Sequence, residues 1–321
     1  MAQGEGSGAQ GRGEGRRLGG VLAPVLTPFG ADLAPDPGRF VRLCRWLLDH
    51  GCAALAPFGT TSEANSLSAG EREALLEALL DAGIPAARLM PGTGCCAIPD
   101  SVRLTAHAVR RGCAGVLMLP PFYYKGVTDD GLYRGFAEVI ERVGDDRLRV
   151  YLYHIPPVAQ VGIGAALVER LLRAYPRAIA GMKDSSGDFG NTRTMLDRFA
   201  RDGFDVFVGS ERFLLENLRG GGVGCITATG NVNAAAIDRL YAGWRGADAE
   251  RLQQELNAVR GTIEKGPVIP SLKAVVAAES GDAGWNTVRP PLVPLAEERR
   301  VPLHEALRGL GFSMPGLRDP G

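Results

Sequence analysis

The feature that most restricts this 321-residue chain is a series of eight short apolar runs, set about 20 to 35 residues apart. They read VLAPVLTPF (21–29), CAALAPFG (52–59), RLMPGTG (88–94), GVLMLPPF (115–122), RVYLYHIP (149–156), IAGMKDSS (179–186), DVFVGS (205–210) and GCITATGN (224–231). Each is continuous rather than alternating, as parallel strands buried on both faces are. Charge-bearing segments with helical spacing lie between them, at 39–50, 71–82, 101–111, 132–143, 167–175, 191–201 and 211–219. Cap signals precede several, such as Ser68 before Glu71 and Asp100 before Ser101. Eight such units predict an α/β protein of the (β/α)8 TIM-barrel class. A doubly wound open sheet is the rival, but no G-x-G-x-x-G follows the first strand. Four more helical patterns at 235–246, 249–262, 271–279 and 303–310 exceed what a barrel needs. The expected organisation is therefore a disordered tail over 1–19, a barrel over 20–246, and additional C-terminal helices over 247–321 packed on it as one structural unit.

Several functional classes fall away. Formal net charge is zero and the basic residues are scattered, so neither a nucleic-acid partner nor an anionic membrane is expected. No apolar run reaches the roughly 18 residues of a membrane span. Residues 1–20 are rich in Gly, Arg and Gln without an apolar h-region, unlike a secretory signal. Six cysteines form no C-x-x-C pair, and four histidines show no metal-ligand spacing. Reduced thiols, no metal, no cofactor-binding motif and a cytoplasmic location are the expectations.

In a barrel the chemistry sits at the C-terminal ends of the strands. The second run ends in Gly59-Thr60-Thr61-Ser62-Glu63, the fourth in Pro120-Pro121-Phe122-Tyr123-Tyr124. The fifth carries Tyr151, Tyr153 and His154, and the sixth Lys183-Asp184-Ser185-Ser186-Gly187. Lys183 stands out. Only four of the 36 basic residues are lysine (125, 183, 265 and 273), and this one lies in an apolar strand. Burial disfavours an ammonium, and a neutral amine attacks carbonyls. A structural lysine paired with Asp184 is the plainer alternative, but strand neighbours point to opposite faces. The small residues and hydroxyls of Gly59-Thr60-Thr61 suit a carboxylate or an ordinary helix-capping loop. Tyr153 is either a proton relay or an aromatic core residue. His154, one position on, is expected to face outward. The glycine run at 220–224 precedes the eighth strand and reads as a tight turn at the opposite end of the barrel, not as a phosphate loop.

These motifs, in this order and spacing, resemble the dihydrodipicolinate synthase / N-acetylneuraminate lyase family of Schiff-base aldolases. The likeness runs from about residue 20 to 308. It rests on Gly59-Thr60-Thr61, on Tyr123-Tyr124 followed by Gly131-Leu132-Tyr133, on Tyr153-x-x-Pro156 and on Gly181-Met182-Lys183-Asp184. Gly224-Cys225-Ile226-Thr227-Ala228 and Ile269-Pro270-Ser271-Leu272-Lys273 extend it. The resemblance implies Lys183 as the Schiff-base lysine, Tyr153 as the proton shuttle, and Thr61 and Tyr124 as relay members, the tyrosine coming from a neighbouring subunit. It further implies Gly59, Thr60, Thr61 and Ile226 as substrate-binding residues, and a homotetramer or homodimer. Two departures count against true synthase activity. The stretch Pro157-Val158-Ala159-Gln160-Val161-Gly162 has no arginine for a second carboxylate, and Ser62-Glu63 replaces the family's Gly-Glu. The feedback-site histidines are absent from 67–72 as well.

The expected function is a class I lyase or aldolase acting on pyruvate or a 4-hydroxy-2-oxo acid, with an aldehyde as second partner. The lysine replaces any cofactor. Alternatives are 4-hydroxy-tetrahydrodipicolinate synthase, a sugar-acid dehydratase of the same chemistry, and a non-catalytic 2-oxo-acid sensor.

Overall fold

The computed structural model describes residues 17–318. Most of the expected tail (1–16) lies outside the described residues. Of its remainder, Arg17 pairs with Asp205 at 3.3 Å and Leu18 packs against the interior.

Among the described residues, seven strands form one parallel sheet. They are β1 (Gly20–Ala23), β2 (Ala54–Leu55), β3 (Val116–Met118), β4 (Val150–His154), β5 (Ile179–Asp184), β6 (Asp205–Val208) and β7 (Gly224–Ile226), in the order β2-β1-β7-β6-β5-β4-β3. The third apolar run, 88–94, is not a regular strand. It makes isolated parallel bridges, Leu55 with Leu89 and Gly92 with Leu117, so it lies between the two ends of the sheet. Met90 N donates to Leu55 O and Leu117 N to Pro91 O. Pro91 has no N–H to give in return, which interrupts the ladder. Phe58 O also passes so close to Gly92 that a Cβ there would lie 2.0 Å from it.

Side chains divide as strand geometry requires. Leu22, Ala54, Met90, Leu117, Tyr151, Tyr153, Phe207 and Ile226 form an inner cluster. Val150, Leu152, Met182 and Val206 face helices on the other side. Helices Ala249–Ile263, Val268–Ser280 and Glu297–Gly309 contribute Leu256, Leu272, Val275 and Leu307 to the same core as Val21, Leu26 and Phe40. Helix starts run earlier than the apolar pattern suggests: Pro37–Asp49 and Ile98–Arg110 each hold a proline in the first turn. Ala97, rather than Asp100, is the cap of the second. Ser68 and Glu71 form the expected capping box on Ala69–Asp81. The glycine run is a turn between the helix ending at Arg219 and β7. Among the described residues, no helix is long and apolar enough to cross a membrane.

Candidate active site

The orientation of Lys183 depends on an irregularity in its strand. Val150 pairs with Ile179, but Tyr151 pairs with Gly181, so Ala180 is an extra residue. A one-residue slip turns every later side chain to the other face. Strict alternation from the outward Ile179 would aim Lys183 at the helices. The bulge aims it inward and sets it directly opposite Tyr153. Glycine is required next to the bulge, because a Cβ on Gly181 would lie 2.2 Å from Asp205 O.

Lys183 is 3% exposed, and its Nζ donates to Tyr153 Oη at 3.3 Å. The same nitrogen is 4.3 Å from the Tyr153 ring centroid. Tyr153 Oη in turn lies 3.2 Å from Thr60 Oγ1. A continuous polar path thus runs from a buried amine through a phenol to a hydroxyl, surrounded by apolar Leu22, Phe207 and Ile226. Asp184 takes no part. Its carboxylate accepts from Ser186 N at 2.9 Å, Asn191 Nδ2 at 2.8 Å and Thr192 Oγ1 at 2.7 Å. His154 is buried on the outward face, where Nδ1 accepts from Ile163 N at 2.9 Å and burial pulls its pKa down.

The turn that carries Thr60 and Thr61 is closed by its own backbone: Ser62 N donates to Gly59 O at 3.1 Å and Glu63 N to Thr60 O at 3.0 Å. Ser62 Oγ accepts from Gly59 N at 3.3 Å, and Ser62 O accepts from Thr27 Oγ1 at 2.7 Å. Phe58 and Glu63 flank it in the left-handed region, at φ 63° and 56°. Thr61 is buried. Tyr124 is not brought to this group within the chain. It is 74% exposed and meets Tyr123 edge-on at 5.3 Å.

Two buried charge clusters escaped the sequence reading. Glu63 pairs with Lys273, both side chains being fully enclosed. Glu211, just beyond β6, accepts from Thr227 Oγ1 and Thr229 Oγ1 and pairs with Arg260 at 2.7 Å. The scarcity of lysine was a usable signal for Lys273, which sits in the apolar stretch Leu272-Lys273-Ala274-Val275 much as Lys183 sits in its strand.

The chain as a whole has clear counterparts among known proteins. A dihydrodipicolinate synthetase family profile matches residues 17–310. An uncharacterized DapA-like lyase of Chloroflexus aurantiacus is 32% identical, over 89% of this chain and 95% of its own length. The dihydrodipicolinate synthase of Agrobacterium tumefaciens superposes with a TM-score of 0.84 at 31% identity, covering 91% of this chain and 99% of that one. YagE of E. coli K12, solved in complex with pyruvate, gives 0.83 at 28% identity, covering 92% and 99%. With its motifs in order along nearly its whole length, the chain belongs to the dihydrodipicolinate synthetase family.

Proposed function

We propose that the protein is a class I lyase that forms a Schiff base between Lys183 and pyruvate or a 4-hydroxy-2-oxo acid. The observation that carries this reading is the buried path Lys183 Nζ–Tyr153 Oη–Thr60 Oγ1, with steps of 3.3 and 3.2 Å. A carboxylate received by Thr60 and Thr61 sets C2 of the oxo acid within reach of Lys183. Nζ attacks C2, and Tyr153 carries a proton to the resulting hydroxyl, which leaves as water. The iminium draws electrons from C3. Loss of a C3 proton, or cleavage of C3–C4 with release of an aldehyde, gives the enamine. The enamine then adds to an aldehyde or is protonated at C3, and water releases the product. Lysine supplies the electron sink, so no step calls for a metal or an organic cofactor.

Three finer readings accompany it. Residues 88–94 act as the third strand of a closed eight-stranded barrel over 20–246, with the helices of 247–321 as a layer on it, an inference supported by the bridges to Leu55 and Leu117. Exposed Tyr123 and Tyr124 suit a subunit contact in a homodimer or homotetramer, where Tyr124 would reach a neighbour's relay beside Thr61. Aldolase chemistry is favoured over 4-hydroxy-tetrahydrodipicolinate synthase because 157–162 offers no cation. The nearby Lys125 already donates to Phe122 O and, at 2.8 Å, to Ala159 O.

Borohydride reduction in the presence of pyruvate tests the assignment. A single adduct on Lys183 is expected, and a label on Lys125, Lys265 or Lys273 instead would overturn it. A panel of 4-hydroxy-2-oxo acids then separates aldolase from dehydratase by product.

A further inference from the structure

Glu63 is two residues beyond Thr61, in the left-handed region at φ 56°. A non-glycine residue stays in that region only when its surroundings hold it there. Its N–H closes the turn on Thr60 O at 3.0 Å, so wherever the Glu63 side chain is anchored, the threonine pair follows. The anchor lies far away in sequence. One carboxylate oxygen pairs with Lys273 of the helix Val268–Ser280, and the other accepts from Arg289 N at 2.9 Å. Lys273 Nζ also donates to Thr287 O at 2.7 Å and lies 4.5 Å from the Phe29 ring centroid. The Arg289 guanidinium shares that ring at 4.7 Å, and is itself fixed by Ser66 O at 2.6 Å and by Glu71. Every group in this cluster is met from more than one direction.

A pair this deep is a poor device for stability alone, since burying two charges offsets much of their attraction and an apolar pair of equal volume commonly does as well. Its specific gift is geometry. An ammonium is a compact charge with three donors, and an arginine here would have to bury a planar fork with five. In a chain that otherwise so prefers arginine, Lys273 occupies the place where only a compact charge is served by one carboxylate and one carbonyl.

We propose that the Glu63–Lys273 pair positions the Thr60–Thr61 turn, so that the C-terminal helices hold the carboxylate-binding element of the site in its receiving geometry before substrate arrives. The proposal rests on the reading of Thr60 and Thr61 as the carboxylate subsite. Neither Glu63 nor Lys273 touches substrate; they act through the turn, where a shift of about 1 Å costs roughly 10²-fold.

The test compares wild type, Glu63→Gln, Lys273→Met and the double variant in the full chain. Borohydride trapping is measured against pyruvate concentration, and separately with acetone, a carbonyl compound without a carboxylate. The double variant leaves no unpaired buried charge, so it stays informative where a single variant fails to fold. The expected result is a rise of about 10- to 100-fold in half-saturating pyruvate, with the saturated trapping rate and acetone labelling of Lys183 within about threefold of wild type. A merely structural pair would leave the double variant's half-saturation within about twofold, which overturns the proposal. Equal loss of acetone labelling also overturns it, because the damage would then lie at Lys183 rather than at the turn. Absence of a pyruvate adduct in wild type would sink the Schiff-base reading and this proposal with it. Normal wild-type labelling beside an unmoved double variant sinks this proposal alone.

Discussion

The two sides of the candidate site are built in opposite ways. On one side, residues 61–64 are buried, and their loop is tied to the rest of the molecule by Thr27, Arg72, Lys273 and Arg289. On the other, the segments around 122–127 and 156–160 expose Tyr123, Tyr124, Val127 and Val158. Lys125 joins those two segments through carbonyls of Phe122 and Ala159. In the proposed reaction the first side would face what every 2-oxo acid shares, a carboxylate next to a carbonyl. The second is where the remainder of a substrate would emerge. Rigid, enclosed groups suit the constant part, and segments with few buried contacts are the ones that open locally and change without cost to the core. Substrate identity should accordingly be decided by residues 122–127 and 156–160, and the chemistry by the enclosed side.

The sharpest way to break this division is at Tyr153, which joins the amine to the threonine turn. Tyr153→Phe keeps the ring that packs with Leu22 and Phe207 and removes only the hydroxyl. We expect an unchanged fold and turnover slowed about 10²- to 10⁴-fold, the usual scale of a general acid–base contribution. Near-normal kcat would return Tyr153 to the core and leave the relay without its central member.

A smaller effect is expected on the exposed side. A site for an aldehyde that carries its own carboxylate normally supplies an arginine fork. The turn at 156–160 presents Val158 and Gln160, the latter at φ 53°, and Lys125 spends two of its donors on backbone carbonyls. Leaving a carboxylate without its cation costs about 1.5–3 kcal/mol, roughly a ten- to hundredfold loss. Aspartate semialdehyde with pyruvate should therefore turn over that much more slowly than the best neutral aldehyde. A coupled assay giving comparable rates would restore the synthase reading and place a cation on the exposed side after all.

The two sides also differed in how far the sequence revealed them. Lys183 was visible because it breaks a local pattern, a charge in an apolar strand, whereas Tyr153, Thr60 and Thr61 were singled out by the family resemblance, since a core aromatic and a helix-capping loop fit their local sequence equally well. What alternation could not supply was the bulge at Ala180, without which Lys183 would face the helices. The run at 88–94 read as a full strand, yet Pro91 reduces it to isolated bridges. Helix ends moved because prolines at positions 37 and 99 start helices ahead of their apolar stripes. The Glu63–Lys273 pair was beyond local reasoning. Its partners are separated by most of the chain, and nothing in the hydropathy of either segment says which charge it meets.

The smallest expected effect concerns the outer tie of the enclosed side, and it is read through pH. The Arg289 guanidinium hydrogen-bonds Glu71 and, with Ser68 N at 2.8 Å, pulls the Glu71 carboxyl from 4.5 down to about 2. A carboxyl lowered in the folded state binds fewer protons than in the unfolded chain between those two values. Its contribution is complete above about pH 4.5 and disappears as pH falls toward 2. Glu71 is 30% exposed, so solvent screening reduces the stake to about 1 kcal/mol rather than the full worth of the shift. Glu71→Gln keeps the length of the side chain and an acceptor for Ser68 N, and removes the charge. Its melting temperature should lie about 2 °C below wild type at pH 7. The gap should shrink steadily below pH 4.5 and close only at and below about pH 2, where wild-type Glu71 becomes protonated in the folded state as well. Thermal melts of both proteins across that range decide the point. A gap that stays constant with pH would mean that Glu71 contributes through the capping box on its helix, and the guanidinium of Arg289 would then hold the enclosed side through Ser66, Leu33 and the Phe29 ring.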